Sequence, residues 1–356
     1  MDIVALEGPE ALAELQPEWD ALLARCAHPS PFLTHAWLTA SWRHYGGRDR
    51  LLTVCVRDGG RLVGAVGLRA KRSFGPERLL FAGTHMDYGD LLIEAGAEWD
   101  VLQAFVGWLA EEHQGWGLVR LRSVSCQAPT DELLPVLARE AGLATCSVRA
   151  QAAPVILVPA TLDEFVQTAP GRARVGRHVS KRRKLIRQHG ELSLERLTGP
   201  DLTPEAFDRF LELHRRGWEG RGGSAVIPDA RAGSFHAEVA AALAPSTMAR
   251  LWWLRAGDCC IAGEYGFVVG TTFMHYIPAY DPDFARWSPG GQMVLSMIER
   301  AIEQGWRWMD LMVGAEAYKF DYTRRCAYTM DHTLARTPLK LRLFAASTAL
   351  RSALER

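Results

Sequence analysis

The sequence predicts a mixed α/β protein built from two similar units in tandem. Three patterns of the first half return in the same order in the second half: an aromatic helix ending in paired glycines, a strand–turn–strand hairpin, and a helix followed by a strand. A repeat of this kind is typical of a duplicated structural unit. The paired segments are 32–47 with 207–223, 50–68 with 250–268, and 98–124 with 290–313.

Hydrophobic periodicity and turn residues place the elements along the chain. The hairpin 51–57 and 61–70 is joined by an Asp-Gly-Gly turn, which is a strong signal for antiparallel strands. We expect domains at 1–160 and 161–336 and a C-terminal helix at 337–356. The other predicted helices are 9–26, 31–47, 98–113, 130–141, 171–190, 207–223 and 290–304, and the other predicted strands are 78–82, 89–93, 118–124, 144–149, 154–158, the hairpin within 250–268 and 306–313.

Composition describes a globular protein without a global charge. The 356 residues are 48% hydrophobic, and 41 basic side chains balance 41 acidic ones, so attraction to nucleic acid must be local. No apolar run reaches the length of a membrane span, and acids near the N-terminus do not resemble a secretory signal. Seven scattered cysteines favour reduced thiols. We therefore expect a cytoplasmic protein.

A basic segment separates the two halves. Residues 171–190 carry eight lysines and arginines and no acid, among them Arg182 and Arg183. Such a cluster suits a nucleotide phosphate or an RNA backbone, because like charges repel unless an anion neutralises them. A solvated helix face balanced by acids elsewhere is the alternative.

A helix start in the second half has the features of an anion site. Ser288 is a favoured N-cap, Pro289 suits the first helical position, and Gly290 and Gly291 leave amide N–H groups uncovered. Unpaired N–H groups and the helix dipole favour a pyrophosphate at such a point. An ordinary capped helix has the same pattern, and spacing alone does not separate the two interpretations.

Several of these motifs together resemble a known family. The motifs are Tyr280-Asp281, Ser288-Pro289-Gly290, Asp310-Leu311, Gly314 followed by Tyr318-Lys319, Asp87-Tyr88, the aromatic helix around Phe32 and Trp37, and the basic Arg182-Arg183-Lys184. The chain is similar over nearly its whole length to the tandem-GNAT acyltransferases of the cellulose-biosynthesis CelD-like group, relatives of the Fem-type aminoacyltransferases.

The resemblance implies two GNAT-like domains, each a mixed, mostly antiparallel sheet flanked by helices, and acyl transfer to an amine. It also implies that acetyl-CoA or another acyl-CoA binds the second domain, while Asp87, Tyr88 and Tyr280 help to bind the acceptor in a cleft shared by the domains. One departure is Pro289, which stands where the family's phosphate loop has its first glycine. The residues expected to bind the donor are Arg286, Ser288, Gly290, Gly291 and Gln292, with Arg182 and Arg183.

The chemistry requires a base for the amine, stabilisation of the oxyanion and a proton for the leaving group. Glu264, a single carboxylate in an otherwise apolar strand, is the first candidate base, and His275 is the second. Lys319 is a candidate for pairing with a substrate carboxylate or the oxyanion, and Tyr318 or Tyr280 for protonating the leaving group. Outward-facing or core positions are the alternatives for each.

Other interpretations are weaker or remain open. Asp310 is expected to fix the loop before Lys319 or to position substrate. His85 and Asp87 lack the spacing of a metal site, so we expect no metal. The first domain lacks a Ser-Pro-Gly at its equivalent helix and is expected to have no donor site. The acceptor is expected to be an amine of a small molecule or of a saccharide or peptide precursor. The rival functions are aminoacyl transfer from tRNA and non-catalytic binding in polysaccharide assembly.

Overall fold

The computed structural model describes residues 1–72, 76–113 and 115–344. Contacts divide the chain into two compact units, Met1–Gln151 with the chain from Tyr328 onward (unit 1) and Ala152–Ala327 (unit 2). This division differs from the sequence-based boundaries at 160 and 336, because one strand near each boundary belongs partly to either unit. The C-terminal part of the helix expected at 337–356, residues 345–356, lies outside the described residues.

Thirteen strands and ten α-helices are labelled in chain order within the described residues. The strands are β1 (Asp2–Glu7), β2 (Arg50–Asp58), β3 (Arg61–Lys71), β4 (Glu77–Phe81), β5 (Leu92–Ile93), β6 (Trp116–Ser125), β7 (Ala144–Leu157), β8 (Leu192–Leu197), β9 (Ala249–Ala256), β10 (Cys259–Val269), β11 (Thr272–Tyr280), β12 (Trp308–Asp310) and β13 (Cys326–Ala335). The helices are α1 (Gly8–Glu14), α2 (Gln16–Leu23), α3 (His35–Tyr45), α4 (Glu98–Gly107), α5 (Pro129–Glu140), α6 (Leu162–Thr168), α7 (Arg172–His189), α8 (Pro204–Trp218), α9 (Ala230–Leu243) and α10 (Pro289–Glu303).

Unit 1 is a mixed sheet with helices against it. Strands β1, β2, β3 and β4 pair antiparallel in sequence order. Helix α4 then crosses over, so that β6 pairs parallel to β4, and β13 pairs antiparallel to β6. The core is apolar, with Val66, Phe105 and Val119 almost fully buried. Parallel neighbours need such a crossover, which explains the long segment between β4 and β6.

Unit 2 repeats the same strand order. Strands β8, β9, β10 and β11 pair antiparallel, α10 crosses over, and β12 pairs parallel to β11. The last part of β7 then pairs antiparallel to β12. Met293, Met297 and Ile298 of α10 are buried in the core of this unit. The fold is therefore α/β with two related units, each a mostly antiparallel sheet flanked by helices, as the sequence predicted.

Several predicted elements are wrong in extent. The strand expected at 89–93 is reduced to Leu92–Ile93, the helix expected at 9–26 is divided into α1 and α2, and the helix expected at 207–223 is Pro204–Trp218. The strands expected at 144–149 and 154–158 form the single strand β7, because Pro154 lacks only a donor and its carbonyl accepts a hydrogen bond from Leu311 N. The strand expected at 306–313 is reduced to Trp308–Asp310. It ends there because Met312 adopts a left-handed conformation (φ 62°) and its N–H is bound by Asp310 Oδ1 at 2.7 Å.

Candidate active site

Glu264 and His275 form a buried pair on neighbouring strands of unit 2. Glu264 is fully buried on β10, and His275 on β11 is 4% exposed. The imidazole Nδ1–H donates a hydrogen bond to Glu264 Oε1, and the other carboxylate oxygen has no partner among the described residues. Because Nδ1 is engaged, the second ring nitrogen of His275 is the one left to exchange a proton.

A β-bulge places His275 beside Glu264. Tyr265 lies opposite Ile277, while Phe267 lies opposite Met274, so two residues of β11 face only Gly266 of β10. A bulge bends its strand and redirects a side chain. Gly266 fits here because a Cβ would lie 2.6 Å from the Met274 carbonyl oxygen.

The same bulge coincides with the point where the parallel strands part. Strands β11 and β12 pair only through Thr272, Phe273 and Met274. From His275 onward, β11 therefore has an edge that β12 does not pair with.

The loop after β12 is held by a buried lysine. Lys319 is 4% exposed, and its Nζ donates to the carbonyls of Met312 (3.1 Å) and Val313 (2.9 Å) and pairs with Glu316 Oε2 at 2.9 Å. These three contacts use all three ammonium hydrogens. Together with the Asp310 contact to Met312, they fix the loop, so that in this arrangement Lys319 and Asp310 act on the loop backbone.

Tyr318 lies close enough to Glu264 for the negative charge of that carboxylate to act on its phenol. The residue keeps 38% of its surface exposed. Burial of the phenol, together with the negative charges of Glu316 and Glu264, raises the pKa of Tyr318 well above its ordinary value. The phenol therefore keeps its proton at neutral pH. The other predicted proton donor, Tyr280, stacks under the guanidinium of Arg221, 5.3 Å from the ring centroid.

The start of α10 leaves backbone donors open. Ser288 has φ 57° and makes no side-chain cap, and its Oγ instead accepts from Lys181 Nζ at 2.8 Å. Gly290 and Gly291 lie in the first turn of α10, where backbone N–H groups have no partner within the helix. A Cβ added at Gly290 would meet no atom within 4 Å. Arg286, just before this point, is exposed and lies over the Trp287 ring at 4.7 Å.

Gly291 and Gln292 of α10 contact α7. A Cβ at Gly291 would lie 2.7 Å from the His178 ring, so this position faces α7. Gln292 is fully buried, and its Nε2 donates to the carbonyls of His178 (3.0 Å) and Trp287 (3.1 Å). Gly290 is thus the open part of the predicted loop, while Gln292 fixes the helix start.

The predicted basic residues of α7 divide into bound and exposed groups. Arg182 donates to Ser296 Oγ at 3.0 Å and to Glu299 Oε2 at 2.6 Å, whereas Arg183 is exposed. Within the described chain, five exposed cations of this helix lack an acidic partner: Arg172, Arg177, Arg183, Lys184 and Arg187. These five positive charges of α7, which no acidic side chain neutralises, therefore lie outside its contact with α10.

The sequence reasoning missed the roles of His178 and Lys181. Their spacing of three residues puts them on one face of a helix, and that face meets the start of α10. The spacing was visible in the sequence, but the partner of that face was not. The ring of His178 is half-buried, and burial with nearby Lys181 and Arg174 lowers its pKa.

Asp87 and Tyr88 belong to unit 1 and lie between β4 and β5. Both are half-buried, and the Tyr88 ring is 6.1 Å from that of Phe32. Across the described ranges, no cluster of three histidine, cysteine or acidic side chains could hold a metal. A helix long and apolar enough to cross a membrane is likewise not found in residues 1–72, 76–113 and 115–344.

Residues 173–320 match the family model of the acetyltransferase (GNAT) domain. The segment includes α7, the buried pair, the start of α10 and Lys319. The match does not extend to unit 1. A search of curated proteins found no significant match.

Solved structures share the fold of nearly the whole chain. FemX is similar with a TM-score of 0.63 and 12% identity, over 93% of this chain and 97% of that chain. A protein of unknown function from Bacteroides thetaiotaomicron gives a TM-score of 0.60 and 12% identity, over 93% and 100% of the two chains. L-PGS from Bacillus licheniformis gives 0.57 and 10%, over 94% and 95%. The fold is that of two GNAT-like domains in tandem.

Proposed function

We propose that the protein is an N-acyltransferase that transfers an acyl group from an acyl-CoA to an amine. The observation that carries this proposal is the buried Glu264–His275 pair, placed by a bulge where β11 and β12 separate. A base is needed there because an amine is protonated at neutral pH and attacks only as the free base.

The reaction is a direct attack in a ternary complex. The ammonium first loses one proton to solvent through the free ring nitrogen of His275, which Glu264 orients through Nδ1. The amine nitrogen then bonds to the thioester carbonyl carbon, and its second proton passes to the same ring nitrogen. The C–S bond then breaks, and Tyr318 supplies a proton to the leaving thiolate. The base can later return its proton through solvent to Tyr318. Tyr280 remains the second candidate donor of that proton.

The donor's diphosphate would bind at the start of α10. The Gly290 and Gly291 N–H groups lie in the first turn of α10 and have no partner within the helix, the space at Gly290 is open, and no acid lies in that turn. A helix start of this kind favours an anion. Arg286 and the exposed Arg183 would add positive charge near the phosphates.

Other predicted site residues receive positioning roles in this proposal. Lys319 and Asp310 hold the loop that borders the separated strands, and Gln292 and Arg182 hold α10 against α7. Asp87 and Tyr88 remain proposed acceptor residues.

An aminoacyl-tRNA donor is the second candidate. The five exposed cations of α7 support it, because a polynucleotide backbone is the ligand that such a row of charges suits. FemX and L-PGS share the fold. In this case the ester of the tRNA ribose replaces the thioester, and the same base serves the attacking amine.

Product analysis with both donors tests the proposal. The full chain is incubated with a panel of amines and either acetyl-CoA or a mixture of aminoacyl-tRNAs, and products are identified by mass spectrometry. Amide formed from acetyl-CoA and lost in His275→Ala supports the first function. Product that depends on tRNA and disappears with ribonuclease supports the second, and no product with either donor contradicts both.

A further inference from the structure

Unit 1 contains a serine, a histidine and an aspartate in contact. Ser147 lies on β7, His332 on β13 and Asp131 in the first turn of α5. The Ser147 Oγ is 2.8 Å from His332 Nδ1, and His332 Nε2 is 3.1 Å from Asp131 Oδ1. The histidine comes 185 residues after the serine, so only the fold brings this triad together. A hydroxyl next to an imidazole that a carboxylate orients is the arrangement of an activated nucleophile.

The surroundings of His332 decide which ring nitrogen has the proton. A carboxylate can only accept, so the hydrogen is on Nε2, which faces Asp131, and Nδ1 accepts from the Ser147 hydroxyl. His332 is fully buried, and burial lowers its pKa although the charges of Asp131 and Asp331 act in the opposite direction. The ring is therefore neutral at pH 7, which is the form that can take the serine proton.

The nucleophile is open to solvent, whereas the base is enclosed. Ser147 is exposed, and so is Arg149, which lies two residues further along β7 on the same side of the strand. The charges of Arg149 and Asp131 both act on the thiol of Cys126, so this arginine and the triad lie in the same region of unit 1. A reagent can thus approach the serine next to a cation that favours a developing oxyanion.

We propose that Ser147 is a nucleophilic serine, activated by His332, that accepts an acyl group from a thioester or an aryl ester. The Oγ atom bonds to the carbonyl carbon, and the hydroxyl proton moves to His332 Nδ1. The C–S or C–O bond then breaks, and the product is an O-acylserine. Asp131 stabilises the imidazolium, which afterwards loses its proton to solvent.

The enclosed histidine limits the class of substrate. His332 has no exposed surface from which to protonate a leaving group. The leaving group must therefore depart as a stable anion, and thiolates and phenolates do so, whereas alkoxides and amide anions do not. This site lies in unit 1 and is independent of the acyl transfer proposed for unit 2.

A fluorophosphonate tests the nucleophile, because fluoride also leaves without a proton and an ordinary serine reacts far more slowly. The full chain is incubated with a fluorescent fluorophosphonate at pH 7, and peptide mass spectrometry identifies the labelled residue. Ser147 should take up one label per chain, and Ser147→Ala should abolish it. Ser193→Ala, at an exposed serine on β8, should label like the parent. No label, or label on other residues alone, overturns the proposal.

Labelling rates separate activation from exposure. His332→Gln should lower the rate by roughly 10²–10⁴-fold because the base is lost. Asp131→Asn should lower it at least about tenfold, because an amide can donate to Nε2 and favour the wrong tautomer. Since His332 is buried and its replacement can unfold unit 1, the half-buried Asp131 provides the second variant. A parent-like rate in Asp131→Asn, with Tm unchanged, overturns activation by this triad.

The pH dependence of labelling and the choice of ester complete the test. Because the pKa of His332 is lowered, the rate should be constant above about pH 7 and fall at lower pH as the ring is protonated. A rate that keeps rising up to about pH 9 would show a serine without a base. p-Nitrophenyl acetate should acetylate Ser147 and ethyl acetate should not. Equal acetylation by both esters would overturn the assigned substrate class.

Discussion

The crossover helices of the two units, α4 and α10, differ in the charged side chains at their N-terminal ends. In unit 1, α4 begins at Glu98 after an uncapped Ala97, and its first turn contains the acids Glu98 and Asp100. In unit 2, α10 begins at Pro289 with no acid in its first turn, and Lys181 lies against Ser288. The carboxylates of Glu98 and Asp100 already interact favourably with the positive end of the α4 dipole. The first turn of α10 has no carboxylate, so the positive end of its dipole can interact with an anionic ligand. The comparison supports our proposal that unit 1 has no donor site.

The units also differ in the partners of one inward carboxylate, which is fully buried in unit 2 and half-buried in unit 1. Glu264 of unit 2 is paired with His275. Asp90 of unit 1 has neutral partners, the Leu91 N–H at 2.8 Å and the Thr130 hydroxyl. Burial raises the pKa of Asp90 to about 6. A carboxylate that is hydrogen-bonded to a histidine can take part in proton transfer through that histidine.

Removing His275 should have the largest effect, which is a loss of acyl-transfer activity. His275→Ala or Glu264→Gln should lower kcat/KM for acyl transfer by roughly 10²–10⁴-fold, because the base or its orientation is lost. Steady-state kinetics of both variants, with thermal unfolding to confirm the fold, measures this. Glu303→Gln, at the exposed end of α10, should keep parent activity. Near-parent rates in His275→Ala would show that the pair is not the base.

Blocking the start of α10 in unit 2 should have the second-largest effect. Gly290→Val should weaken CoA binding about tenfold or more, because a branched side chain covers N–H groups that would bind phosphate. A thermal-shift titration detects this as a smaller rise in Tm at a given CoA concentration. Gly107→Val, at an equally open position in α4 of unit 1, is the control. A CoA response equal to that of the parent would reject the site at α10.

Removing the lysine that holds the loop should give a moderate effect. Lys319→Met removes three contacts to Met312, Val313 and Glu316 and should lower the free energy of unfolding by about 1–3 kcal/mol. Urea denaturation measures it, and Lys184→Met on the exposed face of α7 should have little effect. A fully stable Lys319→Met protein would show that the loop is held in another way.

The half-buried Asp90 carboxylate of unit 1 should give a pH-dependent effect on stability. Because the folded pKa of Asp90 is raised, its contribution is most favourable below pH 4 and is lost as pH rises through about 6. Asp90→Asn should therefore raise the free energy of unfolding by about 1–3 kcal/mol at pH 8 and by little at pH 4. Urea denaturation at both values checks this, and a gain independent of pH would contradict the assignment.

Sequence reasoning predicted local features well because their causes are local. The start of α10 followed from Pro289 and the glycines, although Ser288 does not make the side-chain cap expected of it. The hairpins followed from their turns. It named Glu264 and His275 separately but could not place them in contact, because a bulge in the β10–β11 register decides which side chains meet. The space around Gly290 is open, whereas the His178 ring fills the space beside Gly291, and this difference depends on where α7 packs. The single strand β7 was missed because Pro154 resembles a boundary in sequence and is tolerated in the sheet.

Strand β13 gives unit 1 a partner from the far end of the chain. Its neighbour β6 ends at Ser125, whereas β13 begins at Cys326, about 200 residues later. At ribosomal rates of roughly 5–20 residues per second, β6 waits about 10–40 s for this partner. Unit 2 is complete in sequence before β13 has emerged from the ribosome. During synthesis, the sheet of unit 1 can therefore be completed only after the residues of unit 2 have been made.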